Sequence, residues 1–175
     1  MIRIVIAEDQ ALMLGTIGSL LDLEEDMEVV GLVSDGEEAV ESVKRLRPDI
    51  CIMDLEMPHK NGLEAALALK SSGCKVIILT TFPGQGYFER VLNADVRGFL
   101  LKDSPSEELI SSIRKILGGS RIYASELIDE EANDPLNEDE AISACQRRPS
   151  NRNGSSGEEL LFYPDQSNEI TCGIK

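Results

Sequence analysis

The chain has 175 residues, 42% hydrophobic and only 4% aromatic with no Trp, so one domain of ordinary size plus an extension is expected, built on an aliphatic core. Its formal charge is −15, from 21 acids and 13 bases over residues 1–126 and 11 acids and 4 bases over residues 127–175. Neither part is a basic surface, which argues against non-specific attraction to nucleic acid or anionic lipid.

Cys51, Cys74, Cys145 and Cys172 are scattered with no C-x-x-C pair, and the single His59 makes no metal site. No run approaches membrane-spanning length. Met1-Ile2-Arg3 leads straight into a short strand rather than into a signal peptide. The expectation is a reduced, soluble, cytoplasmic protein with no direct membrane insertion.

Five short apolar runs alternate with longer amphipathic stretches. Ile2–Ala7 comes first and ends in Glu8-Asp9. A helix is expected near 10–22, where Leu12, Ile17, Leu20, Leu21 and Leu23 recur at roughly helical spacing. The strand Glu28–Val33 follows, then a helix near 36–46 with Ala39, Val40, Val43 and Leu46 along one stripe. A third strand, Asp49–Asp54, closes on a carboxylate, and Cys51 inside it reads as core. Next come a helix near 62–71, the strand Lys75–Thr80, a helix near 84–93 and the strand Arg97–Leu101, which runs into Lys102. The last helix, near 105–118, has Ser104-Pro105 as N-cap and first-turn proline and Glu107 and Glu108 in its first turn. Arg114, Lys115 and Gly118-Gly119 mark its end.

This alternation predicts an α/β fold: a five-stranded parallel sheet of flavodoxin-like order 2-1-3-4-5, with helices on both faces. The switch point of that order lies between strands 1 and 3, which carry Glu8, Asp9 and Asp54. The pattern decays after Tyr123. Residues 123–140 read as an acidic linker. Residues 141–175, with Arg147, Arg148, Pro149, Arg152 and Asn153-Gly154-Ser155-Ser156-Gly157, read as a disordered tail.

Mg²⁺ prefers oxygen ligands and keeps several waters. Asp9 and Asp54 offer two carboxylate oxygens, a backbone carbonyl just after Asp54 a third, and Glu8 a hold on a bound water. A divalent cation would relieve the repulsion among these acids. Thr80 adds a hydroxyl and Lys102 a positive charge. Singly, each has a bland reading: a helix cap, a solvated strand end, strand composition, a surface lysine. Together, at the ends of strands 1, 3, 4 and 5, they form the layout for an aspartyl-phosphate.

These stretches resemble the receiver domain of two-component response regulators, over roughly residues 1–122. The resemblance is carried by Ile6-Ala7-Glu8-Asp9-Gln10, Ile52-Met53-Asp54-Leu55-Glu56-Met57-Pro58, Ile77-Ile78-Leu79-Thr80-Thr81-Phe82 and Gly98-Phe99-Leu100-Leu101-Lys102-Asp103. The Leu-Thr-Thr-Phe and Leu-Leu-Lys-Asp forms look like the NarL/LuxR-type branch. The resemblance implies a CheY-like fold and a phosphorelay role without turnover of a separate substrate, beyond self-phosphorylation and slow autodephosphorylation. It implies Asp54 as phospho-acceptor, Glu8 and Asp9 serving Mg²⁺, and Glu56 lending its backbone carbonyl. Thr80 and Lys102 would grip the phosphoryl group, and Phe99 would change rotamer with Thr80. It implies a sensor histidine kinase as phosphodonor, a DesK-like sensor being one candidate, and a homodimer on phosphorylation.

That branch usually carries a C-terminal helix-turn-helix. Asp134-Pro135-Leu136-Asn137-Glu138-Asp139-Glu140 resembles the entry to it, but no amphipathic recognition helix follows. A truncated or frameshifted output domain is expected, with DNA as a partner only if that domain is intact in the full-length gene. Two further readings compete. A TOPRIM-like Mg-dependent phosphotransferase or nuclease would use Glu8 and Asp54-Leu55-Glu56, but gives no reason for Thr80 with Lys102. A DNA-independent partner-binding switch would need no output domain. No G-x-x-x-x-G-K-[ST] is present, and Ala7-Glu8-Asp9-Gln10 replaces a glycine-rich turn.

Overall fold

The computed structural model describes residues 1–81 and 86–125, together with the backbone of residues 161–164. The first five strands are β1 (Ile2–Ala7), β2 (Met27–Val33), β3 (Ile50–Asp54), β4 (Lys75–Thr80) and β5 (Gly98–Leu101). The helices are α1 (Ala11–Asp22), α2 (Gly36–Leu46), α3 (Gly62–Leu69), α4 (Tyr87–Asn93) and α5 (Ser106–Leu117). Two further strands, β6 (Ser120–Tyr123) and β7 (Leu161–Pro164), extend the sheet beyond the expected five. The order is β2-β1-β3-β4-β5-β6-β7, with the expected 2-1-3-4-5 order intact inside it. β6 is parallel to β5, whereas β7 runs antiparallel to β6.

The continuous apolar runs are the central strands. All five residues of β3 are buried, as a strand covered on both faces requires. One side of the sheet packs Ile4, Ile6, Ile50, Ile52 and Ile77 against Ile17 and Leu21 of α1 and Ile113 and Ile116 of α5. The other packs Val5, Cys51, Met53, Ile78 and Phe99 against α2, α3 and α4, including Ala39, Ala65, Ala66 and Val91. Cys51 is wholly buried, as expected of a core residue, and burial pushes its thiol pKa up.

Local signals start and stop the helices. Asp35 caps α2 by accepting from the Glu38 amide at 2.8 Å. Asn61 and Glu64 form a reciprocal capping box at the start of α3. Lys75 Nζ donates to the Ile116 and Leu117 carbonyls, both at 3.1 Å, and so satisfies the end of α5.

Two details differ from the sequence reading. Ser104 does not cap α5. Pro105 keeps an extended ψ of 143° and stands outside the helix, so the first turn begins at Ser106. Glu107 and Glu108 lie in that first turn, and Arg114 and Lys115 in the last, as expected. Leu12 and Leu23 are 85% and 79% exposed rather than packed. Leu12 lies five residues before Ile17, about 140° around the helix from it, and Leu23 stands beyond the helix end.

Tyr123, the first residue of the expected linker, is buried in β6, and β7 falls within the expected disordered tail. Residues 126–160 and 165–175, including Cys145, Arg147, Arg148, Arg152 and Cys172, lie outside the described residues, as do Phe82 and residues 84 and 85 of the helix expected from 84, which is described from Tyr87. Among the described residues no helix is long and apolar enough to cross a membrane.

Candidate functional site

β1 and β3 are adjacent parallel strands with Ala7 opposite Met53, so the acids that follow both strands emerge side by side. β4 and β5 are the next two strands. Asp54 is paired with Leu79, and Thr80 with Leu101. Five functional side chains from four strands, Glu8, Asp9, Asp54, Thr80 and Lys102, therefore reach one rim of the sheet, the carboxyl ends, where open α/β sheets place ligands.

Carboxylate oxygens of Glu8, Asp9 and Asp54 lie within 4.8 Å of one another. Glu8 and Asp54 are buried, while Asp9 is exposed. Lys102 Nζ bridges the two buried acids, 2.7 Å from Glu8 Oε2 and 2.8 Å from Asp54 Oδ2. Burial raises the Glu8 pKa, the Lys102 hydrogen bond opposes that shift, and the Asp54 charge adds to it. For Lys102, desolvation lowers the pKa, but its hydrogen bonds to Asp54 and Glu8 outweigh that and leave it raised. The lysine therefore stays charged beside its two acids.

The backbone holds this arrangement. The Gln10 amide donates to Glu8 Oε1 at 3.2 Å, and the Glu56 amide to Asp54 Oδ1 at 3.4 Å. The Lys102 amide donates to the Thr80 carbonyl at 2.8 Å, which ties the lysine to the end of β4. Thr80 itself is 3% exposed. Phe99 is fully buried three residues before Lys102, in the core cluster beneath α4.

Two residues outside the sequence-derived set shape the loop after Asp54. The Gly62 amide donates to the Leu55 carbonyl at 3.0 Å, and a Cβ at Gly62 would meet the Asp54 carbonyl oxygen at 2.3 Å. Only glycine lets α3 start this close to the end of β3. Asn61 fixes the helix start through its capping box. The Asn61-Gly62-Leu63-Glu64 spacing is the readable signal for both. Beside the acids lies a cleft of about 570 Å³ lined by Asp9, Glu56, Met57, Asn61, Tyr87 and Arg90, among others.

The donor set suits a hard divalent cation. Three clustered carboxylates with one exposed member offer oxygen ligands and leave room for water. Chemically, the site presents a buried carboxyl group at Asp54, an ammonium bonded to it, and clustered acids able to hold a metal.

The strand order and the acid–lysine arrangement point to a receiver. Residues 4–114 match the family described as the response regulator receiver domain. The chain belongs to this family. It is 61% identical over 130 residues to the transcriptional regulatory protein DesR of Bacillus subtilis (strain 168), spanning 74% of this chain and 65% of that relative. It is 54% identical over 129 residues to the uncharacterized transcriptional regulatory protein YvfU of the same organism, spanning 73% of this chain and 64% of YvfU. The chain thus spans slightly less than two thirds of the length of these curated relatives. Among solved structures, a LuxR-family DNA-binding response regulator from Staphylococcus aureus superposes with a TM-score of 0.64 at 34% identity, covering 67% of this chain and 99% of that one. The receiver domain of NarL from Mycobacterium tuberculosis gives 0.64 at 28% identity, covering 67% and 97%. This receiver is of the NarL/LuxR family, not TOPRIM-like.

Proposed function

We propose that this receiver accepts a phosphoryl group on Asp54 from a sensor histidine kinase and so acts as the switch of a cytoplasmic phosphorelay. The observation that supports this most is the Lys102 ammonium, bonded to both Glu8 and Asp54 at the shared rim of β1, β3 and β5. In the transfer, an Asp54 carboxylate oxygen attacks phosphorus. The P–O bond forms as the P–N bond of a phosphohistidine breaks, and the bonding pair leaves with the imidazole nitrogen.

Glu8, Asp9, Asp54 and the Glu56 backbone carbonyl would hold Mg²⁺. When bound, the metal neutralises charge on the carboxylates and the phosphoryl oxygens. Lys102 takes one phosphoryl oxygen and the Thr80 hydroxyl another. Phe99, buried beneath α4, changes rotamer as Thr80 moves, giving a two-state element biased by a local charge change. The chain turns over no separate substrate. Its chemistry is its own phosphorylation and slow loss of that phosphate.

A homodimer formed on phosphorylation, a DesK-like donor and control of transcription through an output domain complete the proposal. The last draws on relatives described as transcriptional regulatory proteins, of whose length this chain matches 65% and 64%. Incubation with acetyl phosphate and Mg²⁺ is expected to add one phosphoryl group by intact mass, and Asp54→Ala to abolish the gain. An undiminished mass gain in Asp54→Ala would sink the assignment.

A further inference from the structure

Tyr123 connects two parts of the chain that the sequence keeps far apart. In β6 it is the register partner of Phe99 on β5, and on its other side it is the register partner of Leu161 on β7. Phe99, Tyr123 and Leu161 thus occupy one rung across the edge of the sheet. Phe99 and Tyr123 are both among the largest fully buried side chains.

The Tyr123 side chain is held from several directions. Its hydroxyl donates to the Val96 carbonyl at 2.9 Å and accepts from Arg121 at 3.3 Å. Phe88 of α4 meets its ring edge-on, with centroids 6.0 Å apart. Arg121 also pairs with Asp95, in the turn that leads into β5. A shift of Phe99 or of this turn therefore moves β6.

β6 has a shorter register on its inner side than on its outer side. Only two of its four residues are in register with β5, Ile122 with Gly98 and Tyr123 with Phe99, whereas all four are in register with β7. Beyond that register, β6 is attached by amide bonds from Ile122 to the Arg97 carbonyl at 3.0 Å and from Ala124 to the Phe99 carbonyl at 2.8 Å. Phe99 is thus at once a backbone anchor for β6 and the packing beneath it.

We propose that Leu161–Pro164 is a strap whose docking on the edge of β6 is coupled, through Tyr123 and Phe99, to the phosphorylation state of Asp54. This inference rests on the reading of Asp54 and Phe99 given above. With Asp54 unmodified, Lys102 stays on its two acids, Phe99 stays buried and the strap is paired. A phosphoryl group draws Thr80 and Lys102 towards itself. Leu101 is in register with Thr80, so the shift passes down β5 to Phe99. When Phe99 moves, the rung under Tyr123 loses its packing, β6 loosens and the strap leaves. The charge change at one rim thereby reaches a segment nearly forty residues beyond β6, with no output domain required. Coupling of this kind is reciprocal: a docked strap must weaken the phosphorylated state by the factor that phosphorylation weakens docking.

The test uses the full chain, amide hydrogen exchange, and beryllofluoride with Mg²⁺ as the phosphoryl mimic. Without the mimic, amides of Leu161–Tyr163 and of β6 should exchange slowly. With it, their exchange should rise at least about fivefold, and Asp54→Ala should show no rise. Slowed exchange in the loop after Asp54 reports separately that the mimic has bound. If that protection never appears, the Asp54 reading fails. If it appears while Leu161–Tyr163 do not change, or if those amides are unprotected from the start, the strap is overturned and the Asp54 reading stands. A second variant, Phe162→Pro/Tyr163→Pro, removes two successive amides of which one must face β6. It should bind beryllofluoride more tightly by the same factor in calorimetry; unchanged affinity overturns the coupling.

Discussion

The two faces of the sheet are made of different material. Beneath α1 and α5 the core is almost wholly Ile, Leu and Met. Beneath α2, α3 and α4 it is mostly Ala and Val, with Met53, Leu55, Leu63, Leu69 and Ile78 among them and the bulk of Phe99 and Tyr123. α1 and α5 have 12 residues each, while α3 has 8 and α4 only 7. α5 is tied down at its last turn, where Arg114 reaches Glu24 and Asp26, both at 2.7 Å. α4 starts after Gly86, which has a φ of 76° and gives no side-chain cap. The larger aliphatics of the first face pack closely against β1 and β3, the strands that lead to the acids. Small residues let helices come close, and they leave two aromatics whose movement changes the packing most. On the reading proposed above, the difference amounts to a division of labour, with one face holding the site still and the other responding to it.

Substitutions can break that contrast, and the largest effect should come from the rigid face. Ile113→Ala removes a fully buried side chain there and should cost about 2–5 kcal/mol in chemical denaturation; a loss well under that would mean the face is loosely packed. On the opposite face, Ala66→Val should cost about 1–3 kcal/mol by overpacking against the sheet. A neutral result would show spare room there and weaken the idea of close helix approach. Ser112, on α5, is 1% exposed, and its Oγ has no hydrogen-bond partner. Removing an unsatisfied buried hydroxyl should stabilise, so Ser112→Ala is expected to gain about 1 kcal/mol, and a clear loss would reveal a partner.

The smallest effect concerns the Arg114 tie. Its hydrogen bond lowers the Asp26 pKa from an ordinary value of 3.8. A lowered carboxyl pKa gives stability that is present above 3.8 and is lost as pH falls through the folded-state value. Wild type should therefore exceed Arg114→Gln slightly at neutral pH, and the gap should close in acid. A gap independent of pH would exclude the ion pair as its source.

Much of this was readable from residues alone, because the strands that matter are continuous apolar runs ending in charged or hydroxyl groups. Asp49–Asp54 and Gly98–Leu101 are too short for buried helices, and Glu8, Asp54 and Lys102 can meet only if their strands run parallel in one sheet and end at the same rim. Other features were hidden for physical reasons. A glycine serves turns, helix ends and close backbone approaches alike, so the contact of Gly62 with the Asp54 carbonyl appears only once α3 is placed. Leu12 fits a loose helical count yet faces out, because stripe width depends on what packs against it. β6 and β7 have four residues each, too few for a period to emerge, and β7 pairs across a separation no local pattern records.

If Asp54 is the phospho-acceptor, as proposed, the bridge from Lys102 to Glu8 and Asp54 has a consequence for how long a signal lasts. The ammonium already has two ionic partners before any phosphate arrives. An incoming phosphoryl group must therefore exchange with existing partners and does not fill an empty place, so its net gain is a difference between similar attractions. The loaded state is kept from becoming a deep trap. When the acyl phosphate hydrolyses, the lysine returns to contacts that are ready to receive it, and the site resets with little rebuilding.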